Sequence, residues 1–133
     1  MSVHGLLSAA LLAAVRAHPP LSGTVSRSFD APPVRSALPH LVIEEPVLID
    51  WSTKDLAGRE ARVVVSVVDG GERPLRLRAL ADAVEGALAA MPAAIGDGWR
   101  VVTTVPVRSR IAPAGQARWR AQCEFRLRLL RGA

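Results

Sequence analysis

Residues Ala117–Leu130 read ARWRAQCEFRLRLL, and the reading of the whole chain starts from them. Trp119, Ala121, Cys123, Phe125, Leu127 and Leu129 alternate with Arg118, Arg120, Gln122, Glu124, Arg126 and Arg128. Successive side chains of a strand point to opposite faces, so a sustained period of two specifies a strand with one face on a core and one on water or on another protein. That pattern belongs to an antiparallel sheet covered on one side only, and its register is firmly set because a slip of one residue would exchange the faces.

Upstream, Trp99–Arg108 (WRVVTTVPVR) predicts a partner strand, with Ser109–Gln116 (SRIAPAGQ) as the loop between them. Gly96-Asp97-Gly98 turns the chain into that strand, and Met91-Pro92 ends the segment before it. In that segment Leu77, Leu80, Ala81, Val84, Leu88 and Met91 recur at spacings of three and four behind Pro74, which suits a first helical turn. Earlier still, Glu60–Asp69 (EARVVVSVVD) predicts a strand, and Asp69-Gly70-Gly71 breaks it. The β-branched run from about His40 to Asp50 predicts another, at a sheet edge or bulged at Pro46, which has no amide to donate. The polar Trp51–Arg59 (WSTKDLAGR) is the long loop joining these two. Pro19 to Pro39 reads as an irregular, proline-rich connection with a short extended piece around Thr24 to Phe29.

The N-terminal Leu6–Val15 (LLSAALLAAV) has the length of a signal-peptide core, but MSVHG carries no fixed positive charge and Arg16-Ala17-His18-Pro19-Pro20 is a poor cleavage site. Leu7, Leu11, Ala14 and Val15 recur at helical spacing instead, so an amphipathic helix ending before Pro19-Pro20 is expected, in a chain that is neither secreted nor membrane-spanning. The predicted fold is α+β, in the order α-β-β-α-β-β: a four-stranded, mainly antiparallel sheet with two helices on one face. With 133 residues the chain is expected to form a single domain over 1–133.

The residues argue against several chemistries. Cys123 is the only cysteine, so no intramolecular disulfide or cysteine-rich zinc site is possible, and its place on the apolar side of a strand predicts an inert thiol. His4, His18 and His40 have no carboxylate patterned to orient them and read as surface or capping residues. Glu44 and Glu45 are neighbours on a strand and cannot both face one site. Asp69-Gly70-Gly71 lacks the lysine and hydroxyl residue of a phosphate loop and reads as a turn. No catalytic constellation, metal site or cofactor is expected.

What stands out instead is charge. The net charge is +5, and Lys54 is the only lysine among 17 basic residues. With aromatics at 4% there is little on which unpaired bases could stack. The arginine face of the last strand (Arg118, Arg120, Arg126, Arg128) has three readings: a solvated sheet face, a subunit interface, or a phosphate-contacting surface. Trp119 is expected to point with the core residues, whereas Trp51, in a polar loop, could anchor a partner.

Between Arg27 and Leu88 the residues resemble a known family. Phe29-Asp30-Ala31-Pro32, Leu38-Pro39-His40-Leu41-Val42-Ile43, the polar Asp50-Trp51-Ser52-Thr53-Lys54, the Val63–Val68 strand and the Leu77–Leu88 helix follow one another as in the tail-completion or tail-terminator proteins of long-tailed phages and gene transfer agents. The leucine- and alanine-rich first helix and Pro39 also match, while His40 replaces the usual aromatic and Glu44-Glu45-Pro46 stands where a glycine commonly closes the first strand. The resemblance implies a structural virion protein: a subunit of a hexameric ring that caps the tail tube, stops its polymerisation and joins it to the head connector. Its partners would be itself, the tail tube protein and the connector protein, with DNA passing unread through the lumen and no membrane contact. The protein would be cytoplasmic during assembly and then part of the particle at the head-tail junction. The interface residues implied are Arg118, Arg120, Arg126 and Arg128, with Trp51, Lys54 and Arg110 from the two polar loops. A small basic nucleic-acid-binding module and a head-side neck subunit are the alternatives.

Overall fold

The computed structural model describes residues 2–25, 27–29 and 37–132. Residues 30–36 of the proline-rich connection, which carry part of the family resemblance, lie outside them. The first helix, α1, spans Val3–Ala17, longer at both ends than the predicted Leu6–Val15. Ser2 caps it, its hydroxyl accepting from the Gly5 amide at 3.0 Å, and Leu6, Leu7, Leu11, Ala14 and Val15 form its buried stripe. Pro19-Pro20 ends α1 as expected, and also starts a one-turn helix α2, Pro19–Ser22, that the sequence reading did not separate from the connection. Helix α3, Leu75–Ala89, buries the predicted Leu77, Leu80, Ala81, Val84 and Leu88, together with Ala87.

Among the described residues the sheet has seven strands, not four: β1 Arg27–Phe29, β2 His40–Ile43, β3 Val47–Asp50, β4 Ala57–Gly70, β5 Ala94–Gly96, β6 Trp99–Pro113 and β7 Arg118–Arg131. Their order is β1-β2-β4-β7-β6-β5, with β3 also on β4. The β1–β2 pair is parallel and every other pair is antiparallel.

Each departure from four strands has a physical reason. The predicted His40–Asp50 strand is split at Glu44-Glu45-Pro46: Ile43 opposes Val65 and Val47 opposes Arg62, so four steps on one strand face three on the other. That single extra residue is the bulge expected at Pro46. β5 and β6 form a hairpin around Gly96, Asp97 and Gly98, all at positive φ; a three-residue strand is too short to show a period. The extended piece expected before Phe29 is β1, which lies against β2.

The two loops expected to be long are short. Residues 57–59 belong to β4, which leaves Trp51–Leu56 as a tight turn in which the Trp51 amide donates to the Gly58 carbonyl at 3.0 Å and the Thr53 amide to the Leu56 carbonyl at 2.8 Å. Gly58 is required there, because a Cβ would collide with the Trp51 carbonyl oxygen. Likewise Ser109–Pro113 continues β6, with Ile111 opposite Ala121 and Pro113 opposite Trp119, so only residues 114–117 turn. Polar side chains on a strand exposed to solvent had read as a loop.

All the helices cover one face. Val63, Val65 and Val67 of β4 lie opposite Phe125, Cys123 and Ala121 of β7, and they form one buried cluster with Leu7, Leu11, Leu80, Val84 and Leu88 of the helices. Trp99 is buried, and Trp119 packs on the rim of the same cluster, on the predicted side.

Candidate functional site, the helix-free sheet face

The face that no described helix covers is built by β4, β6 and β7. Along β4 and β7 its residues oppose one another as Glu60 and Arg128, Arg62 and Arg126, Val64 and Glu124, Ser66 and Gln122, and Val68 and Arg120. β6 adds Thr103, Val105, Arg108, Arg110 and Ala112 opposite Arg128, Arg126, Glu124, Gln122 and Arg120. Arg62 and Arg126 are like charges directly opposite one another, an arrangement that destabilises a sheet unless acids lie on the diagonals.

Glu60 and Glu124 occupy those diagonals. Arg128 Nε donates to Glu60 at 3.2 Å and Arg126 lies 3.9 Å from the same carboxylate. Glu124 is 3.5 Å from Arg62 and 3.9 Å from Arg108. The Glu60 side chain is only 14% exposed, so the Arg128 hydrogen bond and the nearby charge of Arg126 are what offset its burial. Arg128 is further committed, its guanidinium 5.0 Å from the centre of the Trp51 ring. Trp51 therefore already has a partner inside the chain, where the sequence reading left it free for another protein.

The other half of the face is different. Among the described residues Arg110, Arg118 and Arg120 have no carboxylate within ion-pairing distance, and all three are exposed. Burial, with the positive charges of Arg118 and Arg120, holds His40 below its ordinary imidazole pKa. Its Nδ1 is buried without a partner and its ring meets Phe29 edge-on at 6.3 Å, so His40 is half-buried under this face rather than a surface residue. His18 does cap α1, its amide donating to the Val15 carbonyl.

The seven predicted interface residues are therefore not one patch. Arg126, Arg128 and Trp51 lie at the committed end and Arg110, Arg118 and Arg120 at the open end, while Lys54 is exposed on the tight turn beyond the committed end. Arg110 is on strand β6, not in a loop. The sequence reading missed the exposed apolar residues at the sheet margins, Val47 and Ile49 on β3 and Val102, Val105 and Val107 on β6. The spacing of Val47 and Ile49 two apart was the available signal.

Two other sequence features have structural roles. Asp69 is buried at the end of β4, where its carboxylate accepts from Arg76 Nε and NH2 at 2.8 and 2.7 Å and from the Gly70 amide at 2.9 Å. The Arg76 bonds hold its carboxyl below the usual carboxylate range. The Cys123 thiol is buried, and burial pushes its pKa up against the opposing contact with Ser109. No cluster of three or more His, Cys, Asp or Glu residues that could hold a metal ion occurs among the described residues, and no described helix is long and apolar enough to cross a membrane. A concavity of about 630 Å³ between α1 and α3 is lined chiefly by alanines such as Ala10, Ala13, Ala14 and Ala87.

Among the described residues the sheet thus carries helices on one side and an interleaved charged surface on the other. The chain matches the family described as Tail completion protein gp17 over residues 9–130, and it belongs to that family. It is also similar to a chain in a structure of the virion of a native gene transfer agent particle, at 27% identity and a TM-score of 0.80 over 97% of this chain and 98% of that one. No curated protein matches it. The protein is thus a phage-tail structural protein of mixed α+β fold, as the resemblance implied.

Proposed function

We propose that this chain is the subunit of a tail-terminator ring, a homo-hexamer that caps the tail tube, stops its polymerisation and joins it to the head connector. The observation that carries the reading is the helix-free face in a chain that aligns nearly end to end with a component of a gene-transfer-agent virion. A ring subunit must make two different contacts with its neighbours and further contacts above and below. A sheet open on one face, with arginines left unpaired at one end, supplies such surfaces.

The charge pattern favours protein over nucleic acid as the partner of this face. A phosphate-binding surface gains from uninterrupted positive charge, whereas here Glu60 and Glu124 stand among the arginines and pair with four of them. DNA then passes through the lumen without being read, and the protein acts as a spacer and a stop in the finished particle, at the head-tail junction, after assembly in the cytoplasm.

The test is the mass of the purified protein together with the particles made without it. A ring of about six copies is expected in solution and in negative-stain images. Deleting the gene should give tails of irregular length that fail to join heads. Tails of normal length in the deletion strain would refute the terminator role.

A further inference from the structure

We propose that copies of this chain join head to tail through the two opposite edges of the sheet, the β3 edge of one subunit against the β6 edge of the next. The proposal rests on the ring reading above and assigns its subunit contact.

Among the described residues both edges are open, and both carry apolar side chains into solvent. On β3, Val47 is 60% and Ile49 53% exposed, and no described strand lies on its outer side. β6 meets β5 only at Trp99 and Arg100, and the last bond on that side runs from the Val101 amide to the Ala93 carbonyl. Beyond it Val102, Val105 and Val107 are exposed.

The charges are complementary. Residues 44–50 contain Glu44, Glu45 and Asp50 and no basic residue, while residues 99–113 contain Arg100, Arg108 and Arg110 and no acidic one. The side chains of Glu45, Asp50 and Arg108 are 73%, 76% and 74% exposed, each with one long ion pair inside the chain, to His4, Arg59 and Glu124 at 3.8, 3.5 and 3.9 Å. Two β6 edges brought together would set arginine against arginine, and two β3 edges acid against acid. Like-charge juxtaposition disfavours both symmetric pairings, and only the unlike edges attract.

Direction and spacing agree. β3, β4, β7 and β6 pair antiparallel in turn, so β3 and β6 run in opposite senses. A neighbour that keeps the sense of the sheet therefore presents its β6 antiparallel to β3. Setting Val47 against Val107 and Ile49 against Val105 then places Glu45 opposite Ser109, one residue along the edge from both Arg108 and Arg110. Pro106 has no amide to donate, and β6 shifts register between Val101 and Thr103 and between Pro106 and Arg108. Such features blunt a strand edge, so the contact is one of side chains rather than a continuous backbone ladder. Two different patches on each subunit make a heterologous contact, the kind that closes into a ring.

Two reciprocal variants test the assignment: Glu45→Arg with Ile49→Arg on β3, and Val105→Glu with Arg108→Glu on β6. Each alone should stay folded by circular dichroism, because the replaced side chains are largely exposed and the ion pairs they give up, His4–Glu45 at 3.8 Å and Arg108–Glu124 at 3.9 Å, are surface pairs that contribute little, and should weaken self-association in analytical ultracentrifugation at least about tenfold. Mixed in equal amounts they should regain the wild-type ring mass, since every joint then meets unlike charge. Should either variant unfold, Glu45→Arg and Arg108→Glu combined in one chain must self-associate more tightly than either single change. Rings that persist in both separate variants would overturn the edge assignment and leave the ring itself standing. Loss of assembly without recovery on mixing would show that the edges are not each other's partners. A wild-type protein that stays monomeric at every concentration would remove the ring reading and this contact with it.

Discussion

Phe125 lies on the core side of β7, opposite Val63 of β4, while Arg120 on the same strand faces solvent. Replacing a fully buried ring with alanine removes its transfer energy and leaves a cavity, so Phe125→Ala should cost about 3 to 5 kcal/mol. Arg120→Ala, which breaks no hydrogen bond or ion pair among the described residues, should stay within about 0.5 kcal/mol. Urea midpoints of the two variants check both, and equal losses would mean that the faces are reversed. This division was legible in the sequence because a strict period of two leaves a strand little freedom. Asp69 was not legible. Its neighbour Gly70 read correctly as the end of a strand, but the Asp69–Arg76 latch joins residues seven apart in different elements, and no local period records such a bond.

That latch matters to the elements, because it ties the last residues of β4 to the first turn of α3. The Asp69 carboxyl has a lowered pKa in the folded protein, so its stabilising contribution is complete above the unfolded value of about 3.9. It disappears as the pH falls from there through the lower folded value. Asp69→Asn should therefore be less stable than the wild type at pH 7, and the difference should shrink as both are acidified below pH ~4, where the wild-type carboxyl also becomes neutral. Thermal unfolding at a series of pH values reads this directly, and a pH-independent difference would assign the effect to packing. At this scale the long elements were the legible ones: α1, α3 and β7 lie where periodicity placed them and β4 where its β-branched run did, although β4 begins three residues before Glu60 and Met91, counted with the α3 repeat, lies past the helix end. The short strands β1 and β5, and the extension of β6 through Ser109–Pro113, were obscured because three residues show no period and a solvent-exposed edge tolerates polar side chains.

Over the whole molecule, the structure divides the arginine face that the sequence presented as uniform. Arg126 and Arg128 hold the nearly buried Glu60, and Arg128 also packs on Trp51. Arg110, Arg118 and Arg120 pair with no carboxylate among the described residues, and the charges of Arg118 and Arg120 add to burial in lowering the pKa of His40. The pairs should consequently fail in different ways. Replacing Arg126 and Arg128 with serine strands a carboxylate that is mostly withdrawn from water, and the isolated subunit should lose stability whether or not it ever assembles. Replacing Arg118 and Arg120 with serine removes two exposed, unpaired charges and should leave the subunit as stable as before, because such groups contribute little to folding. If this end of the face meets another tail or head protein, the second variant should still lower particle yield or the joining of tails to heads, since interfacial arginines that find a partner carry a disproportionate share of association energy. Chemical denaturation of each purified subunit, set beside the yield of joined particles when that variant replaces the normal chain, separates the two cases. Full particle yield from the Arg118 and Arg120 variant would remove that end of the face from assembly, and an unchanged unfolding midpoint in the Arg126 and Arg128 variant would show that Glu60 does not need its partners.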